Sequence, residues 1–296
     1  MTDDTMNEKK TSHLLITRFF PFQLQNYERD TGDPAFLSDQ AQIFKSNLLA
    51  SLSNQTNKST RLAIVVNGEN YCGDERTAAI IDGLKDSSPV ETTVIPCGFS
   101  DVENGFTCDE TYQTFLNNAE SECDYLIETR ADFDDFFYAD AVQRVVDLAS
   151  ENLSGITAHG YCRGITFVSD SEMYGFDFFA DRQQRPGVWS VFASLIINCG
   201  DMAGKPFTSI YNFNHGKIGA NLEQYGAEND VETHFIQDPL DDAFIYVRHD
   251  AAMSIHGAGE VTVPDYAKVT QFDPDQCAKF MNEVFPARFG LKAPVS

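Results

Sequence analysis

Apolar residues along the first half of the chain follow two alternating spacings. Short unbroken runs have the length of buried strands: His13-Leu14-Leu15-Ile16, Leu62-Ala63-Ile64-Val65-Val66, Thr92-Thr93-Val94-Ile95 and Tyr125-Leu126-Ile127. Between them apolar positions recur every three or four residues, as a helix with one buried face requires. These sets are Leu37, Ala41, Phe44, Leu48 and Leu52; Ala78, Ile81 and Leu84; Tyr112, Phe115 and Leu116; and Val142, Val145, Val146 and Ala149. Ser38, Asp74 and Asp109 stand where helix N-caps are expected. Strands that alternate with helices predict a parallel sheet with right-handed crossovers. The second half is less regular. Gly164–Val168, Met173–Phe178, Val191–Ile197 and Phe244–Val247 read as strands, His215–Tyr225 as a short helix, and Pro274–Val284 as a last helix with Phe280 and Val284 inward. The fold class is therefore α/β, with a Rossmann-like, mostly parallel central sheet flanked by helices and a mixed, more irregular C-terminal half. Residues 1–12 read as a flexible tail and 13–296 as one domain, whose character changes near residue 135.

The fourth strand run leads directly into Thr129-Arg130-Ala131-Asp132-Phe133-Asp134-Asp135. Three carboxylates within four residues repel one another, and a cation, a hydrogen-bond cage or water must absorb that repulsion. A strand ending there delivers them to the carboxyl edge of the sheet, where α/β proteins bind ligands. Oxygen-only donors suit hard cations such as Mg²⁺ or Mn²⁺. The competing reading is a solvated turn whose Asp residues cap the helix beginning near Tyr138. A calcium loop of the helix–loop–helix kind is excluded, because Phe137 and Gln143 stand where it needs Gly and Glu. Arg18 and Arg130 each follow a strand at the same edge, and a guanidinium suits phosphate. The competing reading for both is a salt bridge to neighbouring acids. Asn67 ends the second strand, and Asn67-Gly68 is also a strong turn dipeptide.

Charge narrows the partners. The chain has 45 Asp and Glu against 21 Lys and Arg, a formal net charge of −24, which argues against nucleic acid and anionic membrane. An anionic ligand needs a metal and local arginines to reverse that field. The seven Cys are scattered without a CxxC pair, which reads as free thiols in a reducing, cytoplasmic setting and makes zinc a poor fit. No run of about 18 apolar residues predicts a transmembrane helix, and Met1–Ser12 lacks the apolar stretch of a signal peptide. The three Asn-X-Ser/Thr matches, at Asn54, Asn57 and Asn152, then read as chance. A GxSxG elbow, a Walker A loop, a GxGxxG fingerprint and an HExxH pair are all missing.

Four segments carry a family resemblance. They are the strand end Ile16-Thr17-Arg18-Phe19, the helical stretch from Phe44 to Gln55, the acidic Thr129–Asp135 segment, and Ser209-Ile-Tyr-Asn-Phe-Asn-His215-Gly-Lys with the later Tyr246-Val-Arg-His249. In that order they resemble the nucleotide-sugar glycosyltransferases of the GT-A fold, more narrowly the rhamnosyltransferase family of that fold. The resemblance runs from about residue 13 to about residue 260. The acidic segment resembles the family's TRxDxDD form of the DxD motif, with Phe133 where a polar residue is frequent.

The resemblance implies a GT-A-like fold with a nucleotide-sugar-binding half (about 13–135) and an acceptor half (about 136–296). It implies transfer of a sugar, rhamnose in this family, from a nucleoside-diphosphate donor to a glycan hydroxyl, with inversion and with Mn²⁺ or Mg²⁺ as cofactor. Polysaccharide biosynthesis is the setting it points to. Thr17, Arg18, Asn67, Arg130 and Asp132 would bind the donor. Asp132, Asp134 and His249 would hold the metal, with His256 the other candidate ligand and Asp135 equally a structural residue. His215 is the expected acceptor base and Asp181 its main rival, with Asp241 and Asp242 also open. Trp189 either stacks on a sugar ring or fills the core. Two other classes remain open: a non-catalytic carbohydrate- or cation-binding protein on the same fold, and a nucleotide-sugar phosphohydrolase.

Overall fold

The four apolar runs form β1 (Thr11–Arg18), β2 (Thr60–Asn67), β3 (Thr92–Cys97) and β4 (Tyr125–Arg130) in a computed structural model of the chain. It describes residues 10–19, 34–98, 105–151, 153–169, 172–177, 192–206, 208–213, 217–240, 243–247 and 268–291. The remaining strands are β5 (Phe136–Phe137), β6 (Ile156–Tyr161), β7 (Arg163–Ser169), β8 (Glu172–Asp177), β9 (Ala193–Asn198), β10 (Thr233–Asp238), β11 (Phe244–Val247) and β12 (Lys268–Gln271). A seven-stranded sheet has the order β10-β6-β9-β4-β1-β2-β3, and a five-stranded sheet has the order β12-β8-β7-β11-β5.

In the larger sheet β1 pairs in parallel with β2 and β4, β2 with β3, and β6 with β10. Only β9 runs against its neighbours, β4 and β6. Six of the seven strands therefore point the same way. Arg18, Asn67, Arg130, Tyr161 and Asp238 end five of them along one carboxyl edge. The sheet draws β6, β9 and β10 from beyond residue 135.

Alternation along the strands sends side chains to two faces, and each face has its own core. Leu15, Ile64 and Ile127 pack with Phe44, Leu48 and Val142 on one face. Leu14, Ile16, Val65 and Leu126 pack with Tyr112 and Leu116 on the other.

The helices follow the predicted faces. They are α1 (Pro34–Phe44), which passes through a π-helical turn (Lys45–Leu49) into α2 (Ala50–Ser53), then α3 (Gly68–Gly73), α4 (Glu75–Asp86), α5 (Glu110–Ser121) and α6 (Ala141–Ser150). Later come α7 (Cys199–Met202), α8 (Ile218–Asn229), α9 (Pro274–Lys279), a second π turn (Phe280–Val284) and α10 (Phe285–Phe289). Asp74 and Asp109 cap α4 and α5 as expected, each accepting from two backbone amides of the first turn.

Ser38 is not a cap. The helix already runs from Pro34, so Ser38 lies exposed within it. The helix expected near Tyr138 begins at Ala141, with Asp140 at its N-cap, so the acidic cluster does not cap it. The helix expected from His215 is seen from Ile218, and the last helix continues past Val284 to Phe289.

One buried polar line crosses the centre of the large sheet. His13 Nε2 lies 2.8 Å from Thr129 Oγ1, which lies 2.7 Å from Ser194 Oγ, linking β1, β4 and β9. Burial lowers the His13 pKa to about 3, so the imidazole stays neutral in the fold. The unfolded chain, with a His pKa of about 6.5, binds that proton more readily. This contribution to stability is therefore present above about pH 6.5 and is lost as pH falls toward 3. Between pH 7 and 4.5 it amounts to about 2–3 kcal/mol. Measured by denaturant unfolding, the stability of wild type relative to His13→Gln should rise by this amount from about pH 4.5 to pH 7.

Candidate functional site

The carboxyl edge gathers charge where β1 and β4 end side by side. Their register aligns Ile16 with Arg130, and the Ala131 amide continues the ladder by donating to the Ile16 carbonyl at 3.1 Å. Arg18 and Arg130 thus leave the sheet together, and Asp132 turns back between them. Its carboxylate lies 3.8 Å from Arg18 and 3.5 Å from Arg130. These separations exceed the roughly 2.7–2.9 Å of a tight charge-assisted hydrogen bond.

Both guanidiniums also sit over the ring of Tyr211, 5.2 and 5.0 Å from its centre. The Tyr211 hydroxyl donates to the Ile16 carbonyl at 3.0 Å, which fixes the ring beneath the pair. The two competing readings of the arginines therefore meet in one arrangement. Each pairs with an acid, and both face the edge where a ligand would lie.

The rest of the acidic loop is held from below. Phe133 is buried, stacked on Phe44 at 5.9 Å and edge-on to Phe19 at 5.4 Å. This packing turns Asp132 and Asp134 outward on either side, where both are partly exposed. Asn47 donates to the Asp134 carbonyl at 2.6 Å, and Ser46 in turn donates to Asn47. Gln55 ties the far end of the loop by donating to the Tyr138 carbonyl and accepting from the Val142 amide. The stretch from Phe44 to Gln55 thus braces the acidic segment.

Asp135 is fully buried. Its Oδ1 accepts from the Val247 amide at 3.0 Å, and its Oδ2 has no hydrogen-bond partner among the described residues. Burial, and then the charges of Asp134 and Asp132, push its carboxyl well above the usual range. Among the described residues no three His, Cys, Asp or Glu side chains form a ready-made metal cage.

Thr17 is buried beside Arg18 in β1. Asn67 spends its side-chain oxygen on the Glu69 and Asn70 amides, capping the short α3. His215, Asp181, His249, His256, Asp241, Asp242 and Trp189 lie outside the described residues.

Two features of this edge escaped the sequence reading. The first is Glu128, two residues before Arg130 on β4 and fully buried. Tyr112 donates to it at 2.8 Å, Ser209 at 2.5 Å and the Ile210 amide at 2.9 Å. Glu128 thereby anchors the turn Ile210–Asn212, which carries Tyr211 to the arginines. The second is Asp238, buried between Arg144 and His159 where β6, β10 and α6 meet. Burial pushes the Asp238 carboxyl up, but the bond to His159 and the Arg144 cation outweigh it and hold the group down at about 2. Apart from the Leu240 amide that Asp238 accepts two residues on, the partners of both residues lie 16 to 94 positions away, so little in the local sequence marks them.

Burial raises the Glu128 pKa to about 7, against its three donors. The unfolded value is about 4.3, so the fold binds this proton more tightly than the unfolded chain between those limits. Stability from this group is present below about pH 4.3 and falls as pH rises through 7, by on the order of 3 kcal/mol. Glu128→Gln keeps the shape without the titration. The stability of wild type relative to this variant should decline by that order between pH 4.5 and 7.5.

No family model matches the sequence, and no curated protein matches it. Among solved structures the chain is similar to S. aureus TarS residues 1–349 in complex with UDP-GlcNAc, with 9% identity and a TM-score of 0.40. That match covers 80% of this chain and 59% of the TarS chain. A longer S. aureus TarS structure gives 9% identity and a TM-score of 0.41, covering 80% of this chain and 37% of that one. Mouse xyloside xylosyltransferase 1, apo form, gives 11% identity and a TM-score of 0.36, covering 76% and 85%. The chain therefore spans less than two thirds of the TarS chains it matches, 59% of one and 37% of the longer. At such scores the likeness carries no argument about activity. Among the described residues no helix is long and apolar enough to cross a membrane.

Proposed function

We propose that the protein is a metal-dependent glycosyltransferase that moves a sugar from a nucleoside-diphosphate donor to a glycan hydroxyl. The observation that carries this reading is the pairing of Arg18 and Arg130 around Asp132, above Tyr211, at the carboxyl edge of the sheet. Two cations from adjacent strands, already loosely paired to one carboxylate, can turn to a diphosphate while keeping their seat on the aromatic ring. In a chain of net charge −24 this is the arrangement an anionic donor needs.

The residues present fit a divalent cation. Asp132, Asp134 and Asp135 offer oxygen donors only, and the Asp135 Oδ2 is a buried carboxylate oxygen still lacking a partner among the described residues. Asp134 is the first candidate ligand, Asp132 the second, and His249 the nitrogen ligand proposed from the sequence. When bound, the ion supplies positive charge to the departing diphosphate. Arg18 and Arg130 add to that charge and orient the phosphates. Asp132 sets the spacing of the two guanidiniums, and Asn67 closes the β2 side of the donor site.

His215 is the proposed acceptor base, with Asp181 its rival. A single base that takes the acceptor proton fits inversion. Rhamnose as the transferred sugar rests on the sequence resemblance alone.

Asp134→Ala should leave the unfolding transition unchanged and lower turnover by about a hundredfold or more. The assay follows release of nucleoside diphosphate and free or transferred sugar from candidate donors with Mn²⁺. Full activity of this variant without metal would sink the proposal. Release of sugar phosphate instead of free sugar would assign the site to a phosphohydrolase.

A further inference from the structure

At the opposite edge of the sheet two of the seven cysteines meet. Cys123 lies in the turn between α5 and β4, and Cys199 opens α7 directly after β9. Because β4 and β9 are antiparallel neighbours, with Tyr125 opposite Asn198, the start of one lies beside the end of the other. The Cys199 amide donates to the Asp124 carbonyl at 3.0 Å, which locks the two backbones together. The sulfurs are 3.8 Å apart, in van der Waals contact, and both side chains are partly exposed. A disulfide needs about 2.05 Å, so the remaining approach is within reach of side-chain rotation.

We propose that Cys123 and Cys199 are a dithiol pair that closes to a disulfide under a low-molecular-weight disulfide oxidant. The surroundings assign the roles. Cys123 lies near Lys10 and Arg61. The hydrogen bond from Cys199, then the Ser12 amide and the two cations, outweigh burial and hold the Cys123 thiol below the usual range. Cys199 is pushed up, first by its bond to Cys123 and then by burial. Cys123, the thiol beside Lys10 and Arg61, is assigned as the attacking thiolate once it releases the Ala119 carbonyl, to which it donates at 3.2 Å, and Cys199 as the resolving thiol.

The Cys123 thiolate attacks one sulfur of the oxidant, forming a mixed disulfide and expelling one small thiolate. Cys199 gives up its proton and attacks the Cys123 sulfur, expelling the second small thiolate. Two protein thiols are oxidised, and one small disulfide is reduced to two small thiols. The other described cysteines do not offer this contact: Cys72 and Cys108 are exposed, and Cys97, Cys162 and Cys277 are buried.

The bridge would span 76 positions and pin β4 to β9. Closing so long a loop restricts the unfolded chain and raises the melting temperature. The test incubates the folded protein with oxidised glutathione, alkylates remaining thiols, and maps the peptides by mass spectrometry. The expected result is one linked peptide pair containing Cys123 and Cys199, a loss of two hydrogens, and a rise of several degrees in melting temperature that dithiothreitol reverses. Cys199→Ser should instead hold a stable glutathione adduct on Cys123, and Cys123→Ser should leave Cys199 unmodified. Both thiols staying alkylatable in folded wild type, or Cys123–Cys199 linkage appearing only after unfolding, overturns the proposal.

Discussion

A carboxylate buried on the central strand β4 is the constraint around which the carboxyl edge is arranged. Glu128 sits where an unsatisfied carboxyl group would cost about 1–3 kcal/mol, and more if ionised, so the fold must bring it donors. It does so by folding the Ser209–Asn212 turn onto β4, beside Tyr112 from α5. That turn carries Tyr211, and Tyr211 seats the guanidiniums of Arg18 and Arg130. The pair in turn neutralises Asp132 at the head of a loop that would otherwise repel itself. Core, turn, aromatic seat and surface charge form one dependent series, and each member is polar or aromatic for a reason set by the one before.

The same strand holds a second buried titratable contact, from Thr129 to His13. Burial acts on the two groups in opposite directions. It keeps His13 neutral by lowering its pKa and Glu128 protonated by raising its pKa. Between about pH 4.5 and 6.5 the first favours the fold at higher pH and the second at lower pH, each by one proton. Their slopes oppose, so the centre of the sheet is nearly indifferent to pH over that window although each group alone is sensitive.

What could be read from the sequence was what is decided locally. The runs at Leu14, Leu62, Val94 and Leu126 are apolar enough to be strands in any context, and Asp74 and Asp109 cap helices through their own next amides. The ends of β1 and β4 put Arg18, Arg130 and Asp132 at one edge, and parallel pairing alone required that. β6 and β10 were not legible. Ile156-Thr-Ala-His-Gly-Tyr and Thr233-His-Phe-Ile-Gln-Asp mix polar and apolar residues, and His159 becomes tolerable in a core only because Asp238 reaches it from another strand. Glu128 was hidden in the same way, since an acid inside Tyr-Leu-Ile-Glu-Thr-Arg looks like a strand end until Ser209 and Ile210 arrive. Ser38 misled because it is a good cap residue placed one turn inside a helix that Pro34 had already begun.

The proposed role of the Arg18–Asp132–Arg130 group, with the carboxylates beside it, is to receive a diphosphate together with a divalent cation. Isothermal titration with UDP, GDP and dTDP, each with and without Mn²⁺, tests it most directly. One of the three should bind measurably, and removing the metal should weaken it by about tenfold or more, some 1.4 kcal/mol. Failure of all three nucleotides to bind with Mn²⁺ or Mg²⁺ would contradict it and leave the acidic loop as a structural turn neutralised by its own arginines.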